Sequence, residues 1–516
     1  MKKRFFKILL ICLLPALLVG CAKTADPTQQ DELMNDLTNF YGPTAKAPSA
    51  LTSFSLPYLD AGTLDPITCA DGIQQNIGSL LYEGLFELDQ AFEPQPLLCE
   101  SYSYQPDTFT YTFTLKSAAV FSDGSSVTAK DVAAALRRAA TSERYRARLS
   151  TMASVTATDD RTLVLRLSAG NASFVSRLDI PIVKSGTESQ TAPVGSGPYV
   201  FAAADSGAYL SANTAWWQGQ HLPISRIELH ACKNNDAVAY AFHTHDIQML
   251  TCDLTGTDSI NLSGNGNYTD ADTPVMQYVG INTASTLFAD PALRSALNLG
   301  IDRKGIVSAY LLGHGTAAQF PLSPASALYP SDLEISYSAG NFESAMAAAG
   351  YCAGTSRRAT LIVNKENSFK VSIAQKVAEN LSAYDLKVTV QTLAWEEYQR
   401  ALQSGSYDLY LGEIKLSADW DLSPLLSTGG ALNYSRYNDE NMNLLMLNSL
   451  SAGSDTQRAD SMKALCQYLQ QQSPILPLCF KTNSVLLQSG AVTNDITPTA
   501  ANPFYHFSHW TLNLKK

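Results

Sequence analysis

The chain has 516 residues, of which 45% are hydrophobic and only 16% are charged, so it has ample material for large cores and too few charges for a disordered chain. At about 150 residues per domain, this length predicts roughly three domains or lobes. The net charge of −11 argues against nucleic-acid binding, which needs a basic face to displace counterions.

The first twenty-one residues have the parts of a lipoprotein signal. A positive segment at residues 2–7 precedes an apolar run from Ile8 to Val19, which is too short to span a bilayer. Residues 18–21, Leu-Val-Gly-Cys, resemble the lipobox of bacterial lipoproteins. The resemblance implies that Cys21 becomes the lipidated N-terminus and that the protein is tethered outside the cytoplasm. A buried helix or a membrane anchor is the alternative for this segment.

The next elements, in chain order, predict a tether and then an α/β fold. Residues 22–50 are polar and rich in Pro, Thr, Ala and Gln, which is typical of a flexible tether. Polar and apolar residues alternate at 110–115 and 161–167, which predicts half-buried strands. Thr128 and Asp131 have the spacing of a helix cap before an apolar run. The remaining predicted elements are helices at 342–349 and 372–382 and a strand at 388–390.

Nine cysteines are present, and seven remain once the signal is removed and Cys21 is lipidated: Cys69, Cys99, Cys232, Cys252, Cys352, Cys466 and Cys479. Their odd number leaves at least one free thiol, and no CxxC pair indicates a zinc ribbon or a thioredoxin-like site. We expect them to be small buried hydrophobes and not an essential disulfide framework.

A series of motifs, in consistent order from about residue 50 to the C-terminus, resembles one known family. The motifs are Leu64-Asp65-Pro66, Tyr82-Glu83-Gly84-Leu85, Pro96 to Ser101, Val120 to Gly124, Thr128 to Val132, Val194 to Tyr199, Asn282 to Arg303 and Trp395 to Asp408. Together they resemble the extracellular solute-binding proteins of family 5, which serve ABC importers and include oligopeptide-, dipeptide- and nickel-binding members.

The resemblance implies a two-lobed α/β fold of the periplasmic-binding-protein type, hinged by crossing strands, with an extra subdomain on the first lobe. The expected segments are 51–65, 190–273 and 483–516 for lobe I, 66–189 for its subdomain and 274–482 for lobe II. The ligand is expected to be enclosed between the lobes, whose closure it favours by contacting both faces.

Asp419 is the predicted anchor for the α-amine of a peptide. The resemblance implies a carboxylate in a Trp-x-Ala-Asp-aromatic stretch after the Gly405 to Asp408 motif, and Ala418-Asp419-Trp420 stands at that place. A carboxylate can hold an amine by a charge-assisted hydrogen bond. Leu416 stands where the family has the preceding Trp, and Asp419 and Asp421 are alternatively plain loop carboxylates.

Two further sets of residues are candidates for ligand contact. Cys69, Ala70, Asp71 and Gly72 follow the Leu-Asp-Pro motif, where the family pairs with the peptide backbone, and small residues permit close approach. An ordinary loop is the alternative. Trp395 and Trp420 either line the cavity or belong to the core.

The histidines give little indication of a metal site, and no metal or cofactor is expected. The close pairs are His243 with His245 and His506 with His509. Two side chains at a two-residue spacing on a strand share a face and can hold a metal. However, residues 242–247 match a surface segment of the family.

These observations predict a lipid-anchored binding protein, not an enzyme, that delivers peptides to an ABC permease and ATPase. It is expected to be a monomer and to bind no nucleic acid. A nickel-chelate or other solute binder of the same fold is the alternative, as is a receptor that signals without transport. A secreted hydrolase is the remaining candidate, but the chain has no G-x-S-x-G or H-E-x-x-H motif.

Overall fold

The computed structural model describes residues 50–60, 62–256, 266–351 and 356–515. The signal segment with Cys21, the predicted tether up to residue 49 and Cys352 lie outside the described residues. No helix in the described ranges is long and apolar enough to cross a bilayer.

Strands and helices alternate through most of the chain, which confirms the predicted α/β class. The strands, in chain order, are β1 (Ser55–Leu59), β2 (Glu83–Gly84), β3 (Phe86–Leu88), β4 (Pro94–Pro96), β5 (Cys99–Gln105), β6 (Thr110–Leu115), β7 (Met152–Ala157), β8 (Thr162–Leu167), β9 (Pro181–Ile182), β10 (Tyr199–Ala204), β11 (Gly207–Ala212), β12 (Arg226–Cys232), β13 (Met249–Cys252), β14 (Gly266–Ile281), β15 (Gly315–Ala317), β16 (Arg357–Asn364), β17 (Leu386–Leu393), β18 (Leu409–Lys415) and β19 (Ile475–Gln488).

The helices, in chain order, are α1 (Gly72–Leu81), α2 (Ala129–Thr141), α3 (Asn235–His243), α4 (Pro291–Leu299), α5 (Arg303–Tyr310), α6 (Ala339–Ala348), α7 (Ser368–Leu381), α8 (Trp395–Ser404), α9 (Ser423–Leu426), α10 (Glu440–Ser451) and α11 (Asp455–Gln472). Single 3₁₀ turns lie at Phe174–Arg177, Ser331–Leu333 and Phe507–His509.

Lobe I, as we use the name below, is built on the sheet of order β1-β12-β11-β10. Strand β1 runs parallel to β12, and the other neighbours are antiparallel. Helix α1 covers this sheet, because its buried residues Ile77, Leu80 and Leu81 belong to the same hydrophobic core as Tyr199 and Leu210.

The subdomain is built on the antiparallel sheet of order β5-β6-β8-β7. The predicted alternation is confirmed, because every second residue of β6 and of β8 is buried. Helix α2 packs on this sheet and begins at the predicted cap: the Thr128 hydroxyl accepts from the Asp131 backbone N–H, and the Asp131 carboxylate accepts from the Thr128 N–H.

A buried carboxylate joins the subdomain to lobe I. Glu83 accepts hydrogen bonds from the Ser196 hydroxyl at 2.8 Å, the indole N–H groups of Trp216 at 3.0 Å and Trp217 at 2.6 Å, and the Gln218 amide at 2.9 Å. Four donors on one buried carboxylate satisfy its hydrogen-bonding capacity without a cation. Glu83 of the Tyr-Glu-Gly-Leu motif is therefore a structural residue here.

The larger sheet, whose order is β13-β19-β14-β18-β16-β17, extends over both lobes: its β13 end belongs to lobe I, and lobe II is built on the remainder. Two long strands, β14 and β19, cross from one lobe to the other. Their ends at residues 266–272 and 482–488 pair with each other beside β13, whose Met249 packs in the lobe I core. At the other ends, in lobe II, β14 pairs with β18 and β19 pairs with β15. The pairing shifts register between Asp272 and Met276, so the crossing strands are irregular where they leave lobe I.

The subdomain also contacts lobe II directly. Phe92, between β3 and β4, packs edge-on against Trp420 with ring centroids 5.4 Å apart. The Ala172 N–H donates to the Leu450 carbonyl at 2.8 Å. The bounds of the lobes predicted from the sequence stay predictions.

Candidate functional site

A cavity of about 540 Å³ lies where lobe I, lobe II and the crossing strands meet. Lobe I contributes the start of α1 and the strand β13, while lobe II contributes side chains from α7 and β18. Its charged lining residues are Asp71, Asp253, Lys370, Glu413 and Lys481. The volume lies within the range that small-molecule sites occupy.

A chain of ion pairs forms one wall of this cavity. The buried ammonium of Lys481, on the crossing strand β19, pairs with Asp253 and lies 3.6 Å from Glu413. Lys370 lies 3.3 Å from the same Glu413 carboxylate. Loss of water opposes ionisation of Glu413, but Lys370 and Lys481 hold its pKa below the usual value. Two cations and two anions therefore compensate each other across the two lobes.

The predicted segment from Cys69 to Gly72 lines cavities on two sides. Asp71 and Gly72 line the first cavity, and Cys69, Ala70 and Asp71 line a second, mainly apolar cavity of about 700 Å³. Oδ1 of Asp71 caps α1 by accepting from the Ile73 N–H at 2.8 Å. Its Oδ2 accepts no hydrogen bond within the described ranges, and the space beside the Gly72 Cα is open. The segment is well placed for a ligand, and contact with one stays a prediction.

Asp419, the predicted amine anchor, is buried and already paired with a cation of the protein. Its side chain is 0% exposed, and its Oδ2 accepts from Nε of Arg177 at 2.5 Å and from Nδ2 of Asn171 at 2.7 Å. Nη2 of Arg177 lies 2.9 Å from Oδ2 of Asp421. Although burial opposes ionisation, Arg177 and the surrounding donors lower the pKa of Asp419.

This pairing joins the subdomain, which carries Arg177, to lobe II. Asp419 lines neither of the two cavities, so a peptide amine would reach it only if Arg177 moved away. The role of Asp419 as amine anchor stays a prediction, and it requires that Arg177 move away from Asp419. The Ala-Asp-aromatic pattern singled out Asp419, but it gave no sign of Arg177.

The two predicted tryptophans lie in different surroundings. Trp395 is half exposed at the start of α8 and stacks on Tyr398 with ring centroids 5.9 Å apart. Trp420 is 1% exposed and packs edge-on against Phe92 and Phe480. Neither lines the two cavities, and for Trp420 the structure favours the core alternative.

The described cysteines and histidines form no evident metal centre. The six described cysteines of the mature chain are buried free thiols. The rings of His506 and His509 are 5.5 Å apart, but no group of three His, Cys, Asp or Glu side chains within the described ranges is placed to hold a metal ion.

Comparisons with known proteins agree on one family. The model of the bacterial extracellular solute-binding proteins, family 5 (middle), matches residues 93–433. The glutathione-binding protein GsiB of Escherichia coli (strain K12) is 26% identical over an alignment of 446 residues that covers 81% of this chain and 86% of GsiB.

Solved structures agree on the fold. The ABC transporter substrate-binding protein CtaP of Listeria monocytogenes superposes with a TM-score of 0.72 at 18% identity, over 90% of this chain and all of CtaP. The oligopeptide-binding protein AppA of Bacillus subtilis, in complex with a nonapeptide, gives a TM-score of 0.60 at 21% identity, over 90% of this chain and 99% of AppA. The predicted two-lobed fold is confirmed.

The family match covers most of the chain, its motifs stand in the predicted order, and the cavity lies between two lobes joined by crossing strands. The chain belongs to family 5 of the bacterial extracellular solute-binding proteins, and it is a substrate-binding protein of ABC transporters and not an enzyme.

Proposed function

We propose that this protein captures peptides between its two lobes and delivers them to an ABC permease and ATPase. The observation that carries the proposal is the 540 Å³ cavity, which is lined by charged groups of both signs from both lobes. A peptide is a zwitterion, so such a lining can satisfy both of its ends. The relatives named for binding glutathione and oligopeptides support the same ligand class.

We assign the amine end of the peptide to Asp71 in the arrangement in which Arg177 is paired with Asp419. Asp71 lines both cavities and its Oδ2 has no hydrogen-bond donor within the described ranges, whereas Asp419 is paired with Arg177. The variant Asp71→Asn removes the charge but keeps a good helix cap. We expect Asp71→Asn to weaken binding of a free peptide and to leave binding of an N-acetylated peptide unaffected. If Asp419→Asn shows this pattern with the same two peptides, the amine belongs to Asp419.

The ligand class is tested on the purified protein by mass spectrometry of whatever co-purifies with it. Peptides released on denaturation would support the proposal. Release of a nickel chelate or of a solute that is not a peptide would overturn it and favour the alternative within the same fold. Calorimetry with each released molecule then gives its affinity.

The protein is further proposed to act as a monomer held at the membrane by lipid on Cys21. The support is the lipobox-like sequence after a short apolar run. Changing Cys21→Ser is expected to abolish partitioning into the detergent phase. Unchanged partitioning of this variant would contradict the anchor.

A further inference from the structure

A buried histidine lies where the crossing strands pass from lobe II to lobe I. His314 is 4% exposed and directly precedes β15, the strand of lobe II that pairs with residues 479–481 of β19. Its Nδ1 lies 2.9 Å from Oδ2 of Asp270, which belongs to the lobe I end of β14. The contact therefore joins a segment of lobe II to the lobe I end of the crossing strands.

A second side chain of the same segment makes a parallel contact. The Thr316 hydroxyl, two residues after His314, donates to Asp272, two residues after Asp270, at 3.3 Å. The Ser484 hydroxyl of β19 donates to the other oxygen of Asp270. The pairing of β14 with β19 shifts register directly after Asp272. Two carboxylates of β14 are thus tied to the start of β15 beside the irregular point of the crossing strands.

These contacts lie on the face of the crossing strands opposite to the first cavity, which we call the back of the hinge. Successive side chains of a strand point to opposite faces, and Lys481 and Asn483 of β19 line the cavity. Ser484 and its partner Asp270 therefore face the other way, and neither Asp270 nor His314 lines either cavity. A change in this cluster acts on the hinge and not by contact with a ligand.

The contact becomes an ion pair when His314 carries a proton. Burial opposes ionisation of Asp270, but hydrogen bonds from His314 and Ser484 hold its pKa below the usual value. Asp270 therefore stays a carboxylate at neutral and mildly acidic pH. An imidazole changes its charge between about pH 5 and 8, so the proton on His314 is the variable of this contact in that range.

Other ionisable groups lie on the elements packed around this cluster. They are Tyr268 and Asp272 of β14, Cys252 and Asp253 at the end of β13, Cys479 and Lys481 of β19, and Arg303, Lys304 and Tyr310 of α5. Burial raises the pKa of the two thiols to about 12, so they stay neutral. Lys481 is compensated at the cavity by Asp253 and Glu413. Burial also raises the pKa of Asp272, so this carboxylate needs a test of its own.

We propose that His314 and Asp270 form a pH-sensitive brace at the back of the hinge. Rotation of one lobe against the other changes the separation of the two side chains, because different lobes hold them. A proton on His314 adds an attraction across the 2.9 Å contact and favours the arrangement in which the pair is intact. In that arrangement Phe92 also contacts Trp420, so acid favours closed lobes. The inference goes beyond the proposed function, because the brace acts whatever the ligand is.

The first test uses the purified protein without ligand. Small-angle scattering gives the radius of gyration at about pH 5.5 and at about pH 8, on either side of the imidazole range. We expect a smaller radius at the lower pH for the wild type and no difference for His314→Gln, which keeps a donor but cannot gain a proton. Equal radii of the wild type at the two pH values, or an unchanged difference in His314→Gln, would overturn the proposal.

The second test measures the same effect on affinity. With a peptide retained from a casein digest, calorimetry on the wild type is expected to show binding tighter at about pH 5.5 than at about pH 8 by on the order of fivefold. The ratio should fall towards one in both His314→Gln and Asp270→Asn. An equal ratio in the wild type and the variants would contradict the brace. If no peptide is retained, the proposed function fails, while the scattering experiment still decides the brace.

Three controls separate His314 from the other groups that titrate in this range. Glu87→Gln removes a carboxyl of the subdomain whose pKa is raised by burial, and then by Glu83, to about 7. Asp272→Asn removes the neighbouring carboxyl, and His221→Gln removes an exposed histidine between β11 and β12. We expect all three to keep the pH difference of the wild type. Loss of the difference in any of them, with His314→Gln unaffected, would assign the switch to that residue. Thermal melts identify variants that fail to fold, and Asp270→Asn tests the brace if His314→Gln is one of them.

Discussion

Asp419 shows, at the scale of single residues, what a local pattern contains and what it lacks. The Ala-Asp-aromatic pattern pointed to a carboxylate that is buried and needs a cation, and the structure has such a carboxylate there. The cation is Arg177, which lies 242 positions earlier in the chain and in another part of the fold. Pairing between residues so far apart leaves no periodicity or spacing in the sequence, so Arg177 could not be predicted as the partner of Asp419.

The Arg177 to Asp419 pair is predicted to be required for stability. Replacing Arg177→Met leaves a buried carboxylate without its cation, which typically costs about 3–5 kcal/mol in the free energy of unfolding. Urea unfolding measures this loss. The control Arg146→Met changes an exposed residue and should differ little from the wild type. The double variant Arg177→Met with Asp419→Asn should recover part of the loss, and a double variant as unstable as Arg177→Met alone would refute the ion-pair account.

The same pair predicts the direction of the dependence on pH. The pKa of Asp419 is lower in the folded chain than in the unfolded chain, so the unfolded state binds more protons at mildly acidic pH. The stability that the pair contributes is therefore complete above the unfolded pKa of about 3.9 and is lost as the pH falls through the lower folded pKa. Unfolding curves between neutral and strongly acidic pH should show a smaller decline for Asp419→Asn than for the wild type.

At the scale of elements, the sequence predicted the half-buried strands well and the crossing strands poorly. Strands β6 and β8 have one buried face, and this produces the period of two that was visible in the sequence. In β19 all residues except one are buried, so both faces of the strand are covered and no alternation of buried and exposed residues remains. Lys481 therefore could not be recognised as a cavity residue, because its neighbours along the strand give no sign of where it points.

Lys481 is predicted to link the two lobes through charge. Its ammonium is buried and pairs with Asp253 on the lobe I side and with Glu413 of lobe II. Asp253 is partly exposed and Glu413 keeps Lys370, so the expected cost of Lys481→Met is about 1–2 kcal/mol, below the full cost of breaking a buried pair. Urea unfolding measures it, with Lys387→Met on the exposed side of β17 as the control. A stability equal to that of the control would show that the link contributes nothing.

At the scale of the whole molecule, several motifs in a consistent order predicted the architecture, because together they identify a family whose members share one fold. No single motif would have done so. The lining of the cavity was not predictable in the same way. Its charged residues are the N-cap of α1, the residue after β13 and members of α7, β18 and β19, which are far apart in sequence. Only the folding of the two lobes around the crossing strands brings them together.

The stability of the whole chain is predicted to be independent of disulfides. The six described cysteines of the mature chain are free and buried, and a chain of this length obtains its stability from several large cores. Thermal melts with and without reductant should nearly coincide. A marked fall of the melting temperature on reduction would show that a disulfide stabilises the protein.

The last prediction concerns closure of the lobes. Phe92 of the subdomain packs on Trp420 of lobe II, a contact that exists only when these parts are close. A ligand that contacts both sides favours the same arrangement, so small-angle scattering should show a smaller radius of gyration when a peptide that binds is added.

The variant Phe92→Ala removes the packing without touching the cavity lining, and it should have a larger radius of gyration than the wild type when no ligand is present. Phe109→Ala, at a solvent-exposed turn of the same subdomain, is the matched control and should behave like the wild type. If Phe92→Ala and Phe109→Ala give the same radius, the aromatic contact does not hold the lobes together. If the wild type does not become more compact with a peptide proven to bind, the ligand does not act by closing the lobes.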